Sequence, residues 1–255
     1  MTFGKVFCII TGASRGIGRC IANKFCKEML PGSIVCLLAR SESNLTSAKI
    51  EILKLNPEIV VHVYPVDLSI AAECHTAFEQ LQNLLRQNSS LEKTILVHNA
   101  GTPGSIEKMA SDFCECPLLQ EYVQMNYSSM ISLSSHVCKV VDPCKLLIVN
   151  MTSLLAEVPC KSLSQYCSIK AARDEFFRCL SLEEPKIRIL SYSPGPIDTD
   201  FIKHLSKFSH DDALKNSICT EWEYVPVEET VAALLKLIKE DTFPNAHRVD
   251  YFDCI

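Results

Sequence analysis

Residues 6–18 read VFCIITGASRGIG, an apolar run that passes directly into a turn with three glycines. The chain has only 8 glycines among its 255 residues, so a cluster of three requires a physical reason. A turn without side chains lets backbone N–H groups approach a phosphate at the positive N-terminus of the following helix. The stretch therefore predicts a strand, a dinucleotide-binding turn and a helix; an ordinary glycine-rich turn is the structural alternative.

Short apolar runs recur along the chain and alternate with longer amphipathic segments. Runs that are continuous rather than alternating are typical of parallel strands, because helices cover both faces of such a sheet. We therefore predict a single α/β domain over residues 1–255: a doubly wound parallel sheet of about seven strands with helices on both faces. The cofactor part is expected at about residues 1–150 and the catalytic and substrate part at about 150–255. The predicted strands are residues 6–10, 33–39, 59–64, 94–98, 145–150 and 187–192.

Two later segments carry separate predictions. Residues 226–239 are predicted to form a helix, because Pro226 suits its start, Glu228 and Glu229 its first turn, and Lys236 and Lys239 its end. Residues 195–223 show weak periodicity and are expected to be a long irregular lid or binding loop.

The composition indicates a folded chain with a large core, since 47% of the residues are apolar and 22% are charged. A formal net charge of −5 without a run of Lys and Arg argues against nucleic acid and against an anionic membrane surface as partners. Neither a signal peptide nor an apolar stretch long enough to span a bilayer is present, so we expect a cytoplasmic protein.

The 14 cysteines are expected to be reduced thiols, because disulfide frameworks belong to short chains that lack a core. The closest pair, Cys114 and Cys116, has no second pair at zinc-ligand spacing. No metal site is predicted.

Two arginines bear on the choice of cofactor. In dinucleotide-binding folds, a carboxylate at the end of the second strand holds the ribose of NAD and repels the 2′-phosphate of NADP. Here Arg40 follows Ala39 at that place, and Arg15 lies in the glycine turn. Two guanidinium groups can hold a 2′-phosphate through charge-assisted hydrogen bonds, so NADPH and NADP⁺ are preferred over the NAD pair. Solvated surface arginines are the structural alternative.

Four residues form a constellation suited to proton transfer. Tyr166 and Lys170 have the spacing Y-x-x-x-K, which places both side chains on one helix face. Ser153 follows the fifth predicted strand, and Asn126 lies on the preceding helical segment. An ammonium group favours a neighbouring phenolate, so Lys170 is expected to lower the pKa of Tyr166 from its unperturbed value of about 10.

Together with the glycine turn and the Asn-Ala-Gly triplet at residues 99–101, this constellation resembles the short-chain dehydrogenase/reductase family over essentially the whole chain. The resemblance implies a Rossmann-like fold and an NADPH-dependent oxidoreductase. It implies that Ser153 binds the substrate carbonyl, that Tyr166 transfers the proton, and that Lys170 holds the nicotinamide ribose. Asn126 would connect Lys170 to a water relay. His98 stands where the family motif has an asparagine.

The resemblance also assigns the residues that bind ligands, with Asp67 at the adenine ring and the loop at residues 194–195 over the nicotinamide. The expected cofactor-binding residues are Gly12, Ser14, Arg15, Gly16, Ile17, Gly18, Arg40, Asp67, Leu68, Asn99, Ala100, Gly101, Tyr166, Lys170, Pro194, Gly195, Ile197 and Thr199. The expected substrate-binding residues are Ser153, Leu154, Tyr166, Gly195 and Asp250.

Residues 170–174, 191–200 and 246–253 are similar to a branch of the family that reduces the side-chain ketone of a pterin, the last reduction of tetrahydrobiopterin synthesis. In that branch a carboxylate at the position of Asp250 anchors the pterin ring, and the enzyme is a homodimer. Cys160 and Leu163 stand where the branch has aromatic residues lining the substrate pocket. A general reductase of small dicarbonyls or quinones is the enzymatic alternative, and an NADPH-binding regulatory protein is the non-enzymatic one.

Overall fold

The computed structural model describes residues 3–113 and 117–254. Seven strands are found in this part of the chain: β1 (Val6–Thr11), β2 (Ile34–Ala39), β3 (Val60–Pro65), β4 (Lys93–His98), β5 (Leu146–Met151), β6 (Arg188–Ser193) and β7 (Arg248–Asp250). They form one sheet in the order β3-β2-β1-β4-β5-β6-β7, and every neighbouring pair is parallel. The predicted doubly wound α/β fold is confirmed.

Helices cover both faces of this sheet. In the described residues they are α1 (Gly16–Cys26), α2 (Glu42–Leu55), α3 (Ala71–Gln87), α4 (Pro117–Val123), α5 (Ser129–Cys138), α6 (Ser164–Glu183), α7 (Asp200–Phe208), α8 (Asp212–Thr220) and α9 (Val227–Glu240). A first apolar core lies under α1, α2 and α9 on one face of the sheet, and a second lies under α3, α5 and α6 on the other face.

Strand β1 shows why the strands read as continuous apolar runs. All six of its residues are buried, with Val6, Cys8 and Ile10 in the first core and Phe7 and Ile9 in the second. Successive side chains of a strand point to opposite faces, so a sheet covered on both sides needs apolar residues at every position.

The six strands predicted from the sequence are all present, and each end agrees to within one residue. The predicted helix at 226–239 is confirmed as α9, with Pro226 directly before its first residue. The sequence analysis did not locate β7. This strand has only three residues and none is fully buried, so it has no apolar run to reveal it.

The expectation of a long irregular segment at residues 195–223 was wrong, because the segment contains α7 and α8. Each of these nine-residue helices buries only two side chains, Ile202 and Leu205 from α7 and Leu214 and Ile218 from α8. They pack on a third, smaller apolar core with Ile106 and Leu163. Two buried residues per helix are too few to give a clear helical period in the sequence.

Two further observations concern expectations from composition. Among the described residues, no helix is both long and apolar enough to cross a membrane. The cysteines of the described residues are free thiols, whereas Cys114 and Cys116 lie outside the described residues.

Candidate active site

The strand order reverses at β1, because the chain first builds outward through β2 and β3 and then returns to place β4 on the other side of β1. Ligand-binding crevices form at the carboxyl end of a parallel sheet at such a reversal. A cleft of about 900 Å³ opens at this place. Its lining includes many of the residues predicted to bind the cofactor, among them Gly12, Ser14, Arg15, Gly16, Ile17, Arg40, Asp67, Leu68, Asn99, Ala100, Gly101 and Thr199.

The glycine turn at the end of β1 is shaped so that side chains are excluded where backbone segments meet. A Cβ atom at Gly18 would overlap the carbonyl of Gly12 and would lie 2.5 Å from Asn99 Nδ2. Gly12 and Gly16 have positive φ angles of +67° and +55°, which favour glycine. The space around Gly16 is open, so this side of the turn presents bare backbone to the cleft.

Asn99 and Thr11 tie the glycine turn to the loop after β4. Asn99 Nδ2 donates to the carbonyl oxygens of Thr11 and Gly12, at 3.0 and 3.2 Å. Thr11 Oγ1 accepts from the backbone N–H groups of Asn99 and Ala100, both at 3.0 Å. These bonds hold two loops from neighbouring strands in one rigid unit.

The two arginines predicted to select the cofactor both line the cleft. Arg15 directly precedes α1 and forms an ion pair with Asp200, the first residue of α7. Both side chains of this pair are about two-thirds exposed, so the pair stabilises the fold very little. Arg40 follows β2 and is exposed. The structure thus places two guanidinium groups on one cleft, and one of them already has an acidic partner.

Asp67 follows β3 and is fixed by its neighbours. Its Oδ1 accepts from the backbone N–H and the hydroxyl of Ser69, at 2.9 and 2.8 Å. The backbone N–H of Asp67 donates to Glu73 at 2.8 Å. Asp67 is therefore oriented within the wall of the cleft, and the neighbouring Leu68 is buried against the core.

Ser153, Tyr166 and Lys170 meet at the carboxyl end of β5. Ser153 lies near enough to the Tyr166 hydroxyl to lower the pKa of the phenol, and Ser153 Oγ accepts from the backbone N–H of Leu155 at 3.2 Å. Lys170 lies one helical turn after Tyr166, with Nζ 5.4 Å from the centre of the phenol ring. Its ammonium group donates to the carbonyl oxygen of Met151 at 2.6 Å. Three of the four predicted catalytic residues are thus adjacent.

Asn126, the fourth, lies in a widened π-helical turn (Gln124–Ser128) that joins α4 to α5. Such turns interrupt α-helices frequently at functional sites. Asn126 is buried; its Oδ1 accepts from the backbone of Thr102 at 2.9 Å, and its Nδ2 donates to the carbonyl of Tyr122 at 2.9 Å. Its side chain therefore fixes the loop after β4.

Burial governs the acid–base properties of the site. It raises the pKa of Tyr166 to about 12, although the Ser153 hydrogen bond and the positive charge of Arg173 both lower it. The pKa of Lys170 lies well below its usual value, because the group is buried and Arg173 repels its charge. The sequence analysis expected Lys170 to lower the pKa of Tyr166. In the structure, burial raises the pKa of Tyr166 by more than the nearby positive charge lowers it, and this positive charge belongs to Arg173.

Three further residues at the site were not predicted from the sequence. Arg173 is almost completely buried, and the ring of Phe201 lies 5.1 Å from that of Tyr166 between centroids, tilted by 49°. Asp200 binds Arg15. The spacing of Arg173, three residues after Lys170, places it on the same helix face, but only the tertiary structure shows that it is buried there. The other two depend on α7, which the sequence did not reveal.

Asp250 ends β7, and its side chain is only 14% exposed. Its Oδ1 accepts from the backbone of Phe252 at 3.2 Å, and its Oδ2 lies 3.3 Å from Arg248 Nη1. Arg248 also forms two hydrogen bonds with Glu157, at 3.2 and 2.8 Å. The carboxylate predicted to bind substrate is therefore part of a charged cluster of the protein itself.

The segment after β6 packs against the chain end that carries Asp250. Gly195 has a φ of +76°, and a Cβ atom there would lie 3.1 Å from Val225 and 3.7 Å from Tyr251. Pro194 accepts from the Thr230 hydroxyl at 2.9 Å, and Ile197 is buried.

The residues around Ser153 differ in exposure. Leu154 is half-exposed directly beside Ser153, and Cys160 is half-buried. Leu163, expected in the substrate pocket, is instead 1% exposed and packs with α7 and α8 in the third core.

Comparison with known proteins gives three findings. The sequence model of the family described as short chain dehydrogenase matches residues 6–209. The sepiapterin reductase of Xenopus laevis is 34% identical over 256 residues, which cover 98% of this chain and 97% of that protein. A Bacillus subtilis protein described as benzil reductase ((S)-benzoin forming) is 29% identical over 198 residues, which cover 75% of this chain and 74% of that protein.

Among solved structures, the crystal structure of the KRED1-Pglu enzyme is similar in fold, with a TM-score of 0.77 and 23% sequence identity. The match covers 95% of this chain and 99% of that one. It supports the same sheet and helix arrangement.

Proposed function

Because the chain belongs to the short-chain dehydrogenase family and is an oxidoreductase of that family, we propose that it is an NADPH-dependent carbonyl reductase that acts on the side-chain ketone of a pterin. The observation that carries the proposed chemistry is the contact of Tyr166 with Ser153 and Lys170. The observation that favours a pterin is the similarity to sepiapterin reductases along 98% of the chain. The reaction would be the last reduction of tetrahydrobiopterin synthesis.

The cleft fits a dinucleotide. The glycine turn leaves a bare backbone cradle at the N-terminus of α1, where N–H groups and the helix dipole favour a pyrophosphate. Residues 12–18 would hold the phosphates, Arg15 and Arg40 the 2′-phosphate, and Asp67 and Leu68 the adenine. The loop at residues 99–101 and the segment that includes Pro194, Gly195, Ile197 and Thr199 would enclose the nicotinamide. When bound, the nicotinamide supplies a hydride.

The protein's own residues supply the proton and the orientation. A phenol with a pKa of about 12 is protonated near neutral pH, so Tyr166 can act as the acid that protonates the carbonyl oxygen. Ser153, which lies beside the same phenol, would donate to that oxygen and orient it toward Tyr166. Lys170, which donates to the carbonyl of Met151, would bind the nicotinamide ribose, and Asn126 would keep the loop after β4 in place.

Asp250 is the residue proposed to distinguish a pterin from a simple ketone. A pterin presents its 2-amino group and N3–H as two parallel donors, which one carboxylate can accept together. In the structure, however, both carboxylate oxygens already have partners in Arg248 and Phe252. This observation favours a general reductase of small dicarbonyls or quinones as the second candidate, and the half-exposed Leu154 offers such substrates an apolar contact.

The remaining parts of the proposal follow the family. Residues 1–150 would bind most of the cofactor, and residues 150–255 would supply the catalytic and substrate groups. We expect a homodimer. The free thiols of the described cysteines are consistent with a reducing compartment, and a cytoplasmic location is part of the proposal.

Replacing Tyr166 by Phe should abolish carbonyl reduction and change NADPH affinity by no more than a few-fold, because the ring still packs but carries no proton. Steady-state NADPH oxidation and fluorescence titration measure the two effects. Tyr64→Phe, which removes a phenol from β3 that is not among the residues lining the cleft, is the control and should retain full activity. Normal turnover by Tyr166→Phe would exclude Tyr166 from the mechanism.

Replacing Arg40 by Asp should shift the preference from NADPH toward NADH, because the new carboxylate repels the 2′-phosphate while Asp200 still competes for Arg15. The ratio of kcat/KM values for the two cofactors should fall about tenfold or more, the lower limit applying if solvent screens the contact. Arg86→Asp on α3 is the control for the change in net charge. A constant ratio would mean that the phosphate binds elsewhere.

Replacing Asp250 by Asn should lower kcat/KM for sepiapterin by a factor that corresponds to a loss of roughly 2 to 4 kcal/mol of transition-state binding free energy. The kcat/KM for diacetyl should stay nearly unchanged, because only the pterin offers two donors. Asp253→Asn is the matched control, since Asp253 accepts from the backbone of Asp250 and shapes the same turn. Equal losses for both substrates would make Asp250 a structural residue. No loss for either would favour the dicarbonyl reductase.

A further inference from the structure

Arg173 is an unusual residue for the interior of this fold. Its side chain is 1% exposed and lies between α6 and the sheet. Nε donates to Asn150 Oδ1 at 3.0 Å, Nη1 to the carbonyl of Ala100 at 3.3 Å, and Nη2 to the carbonyl of His98 at 2.8 Å. The acceptors of these three bonds are all neutral oxygens.

Burying a charge without a bonded counter-charge costs free energy, and an apolar side chain of similar size fills such a place more cheaply. The adjacent Asp174 has its own hydrogen bonds, to Asn150 at 2.7 Å and to Thr152 at 2.8 Å, so it offsets the charge only through space. Burial lowers the pKa of Arg173 to about 10, which leaves the guanidinium charged at neutral pH. The guanidinium of Arg173 is therefore a permanent buried charge near Tyr166 and Lys170, and keeping it there costs folding free energy.

The location of this cation connects it to both halves of the site. Arg173 follows Lys170 by three residues and Tyr166 by seven, so all three share one face of α6. Its two Nη atoms hold the backbone on either side of Asn99, the residue that ties down the glycine turn. Its Nε donates to Asn150. The next residue, Met151, accepts the hydrogen bond from Lys170 Nζ.

A small cavity adds a third connection. It has a volume of about 10 Å³, enough for one water molecule, and both Arg173 and Asn126 line it. Three further residues with polar side chains, Thr11, His98 and Ser129, line it as well. One water there would have several hydrogen-bonding partners and would join Arg173 to the π-helical turn.

We propose that Arg173 is a positioning residue of the reductase site: its guanidinium fork holds the loop after β4 and the end of β5, and its fixed charge acts on Tyr166 and Lys170 from below. The inference rests on the proposed function for its meaning in catalysis. The three hydrogen bonds of the guanidinium fork do not depend on which carbonyl is reduced, because all of their acceptors belong to the protein.

The effect of the charge has a definite sign. Tyr166 is faced by Lys170, Arg173 and Cys167 from its own helix, by Tyr122 from α4 and by the uncharged Ser153 and Phe201. Lys170 is faced by Arg173 and Asp174. A positive charge lowers the pKa of every neighbouring group, so removing Arg173 should raise the pKa of both Tyr166 and Lys170. An apparent pKa of the reaction that reports Tyr166 or Lys170 must then move upward.

The experiment compares Arg173→Met, which removes charge and fork, with Arg173→Lys, which retains the charge but loses the fork. The pH dependence of kcat/KM for diacetyl reduction by the full chain should move upward by about one pH unit in Arg173→Met and stay in place in Arg173→Lys. The dissociation constant of NADPH, followed by the fluorescence of the cofactor itself, should rise about tenfold in both variants, because the loop at residues 99–101 loses its support.

Arg178→Met is the matched control, since Arg178 is exposed on the same helix and pairs only with Glu175 in the described residues; it should behave as wild type. The unfolding temperature of each variant shows that the fold is retained. If Arg173→Met does not fold, Arg173→Gln replaces it as the uncharged variant and is judged by the same two readouts.

A folded uncharged variant with the wild-type pH profile and wild-type NADPH affinity would overturn the proposal and leave Arg173 as core packing. An upward shift in the uncharged variant that Arg173→Lys shares would overturn the role of the charge. If the wild type binds NADPH but reduces neither diacetyl nor sepiapterin, the proposed function fails, whereas the NADPH affinities still decide whether Arg173 supports the cofactor loop.

Discussion

The close approach of two loops at the carboxyl ends of β1 and β4 is the constraint on which the site depends. Asn99 Nδ2 donates to the carbonyls of Thr11 and Gly12, and Thr11 Oγ1 accepts from the backbone N–H groups of Asn99 and Ala100. This contact is possible only without a Cβ atom at Gly18. It fixes an exposed cradle of backbone N–H groups before any ligand binds, which lowers the ordering cost of binding.

A second consequence of the fold is that the charges of the site are buried rather than solvated. Lys170 and Arg173 both lie in the interior beneath Tyr166, and burial changes the pKa of all three groups. The phenol stays protonated near neutral pH, as a proton donor requires. Electrostatic groups held in a site with little water act more strongly than they would at the surface, and they need no rearrangement during the reaction.

The sequence was sufficient for the parts of the fold that leave a local pattern. Six strands, α9 and the glycine turn were predictable, because strands buried on both faces are continuous apolar runs and a side-chain-free turn needs glycine. Helices α7 and α8 were not, since their few buried side chains pack on Ile106 and Leu163 from distant parts of the chain. The orientation of Arg173 was hidden for a related reason: an arginine on an amphipathic helix normally lies in solvent, and only the tertiary structure shows its three buried acceptors.

The central claim is that this chain reduces a carbonyl with NADPH and favours a pterin. The most direct measurement is the rate of NADPH oxidation by the wild-type chain with sepiapterin, diacetyl and phenylpropanedione in parallel, repeated with NADH. The account predicts the highest kcat/KM for sepiapterin and a lower value with NADH for each substrate. A higher kcat/KM for the dicarbonyls would contradict the pterin assignment, and the absence of NADPH oxidation with all three would contradict the account as a whole.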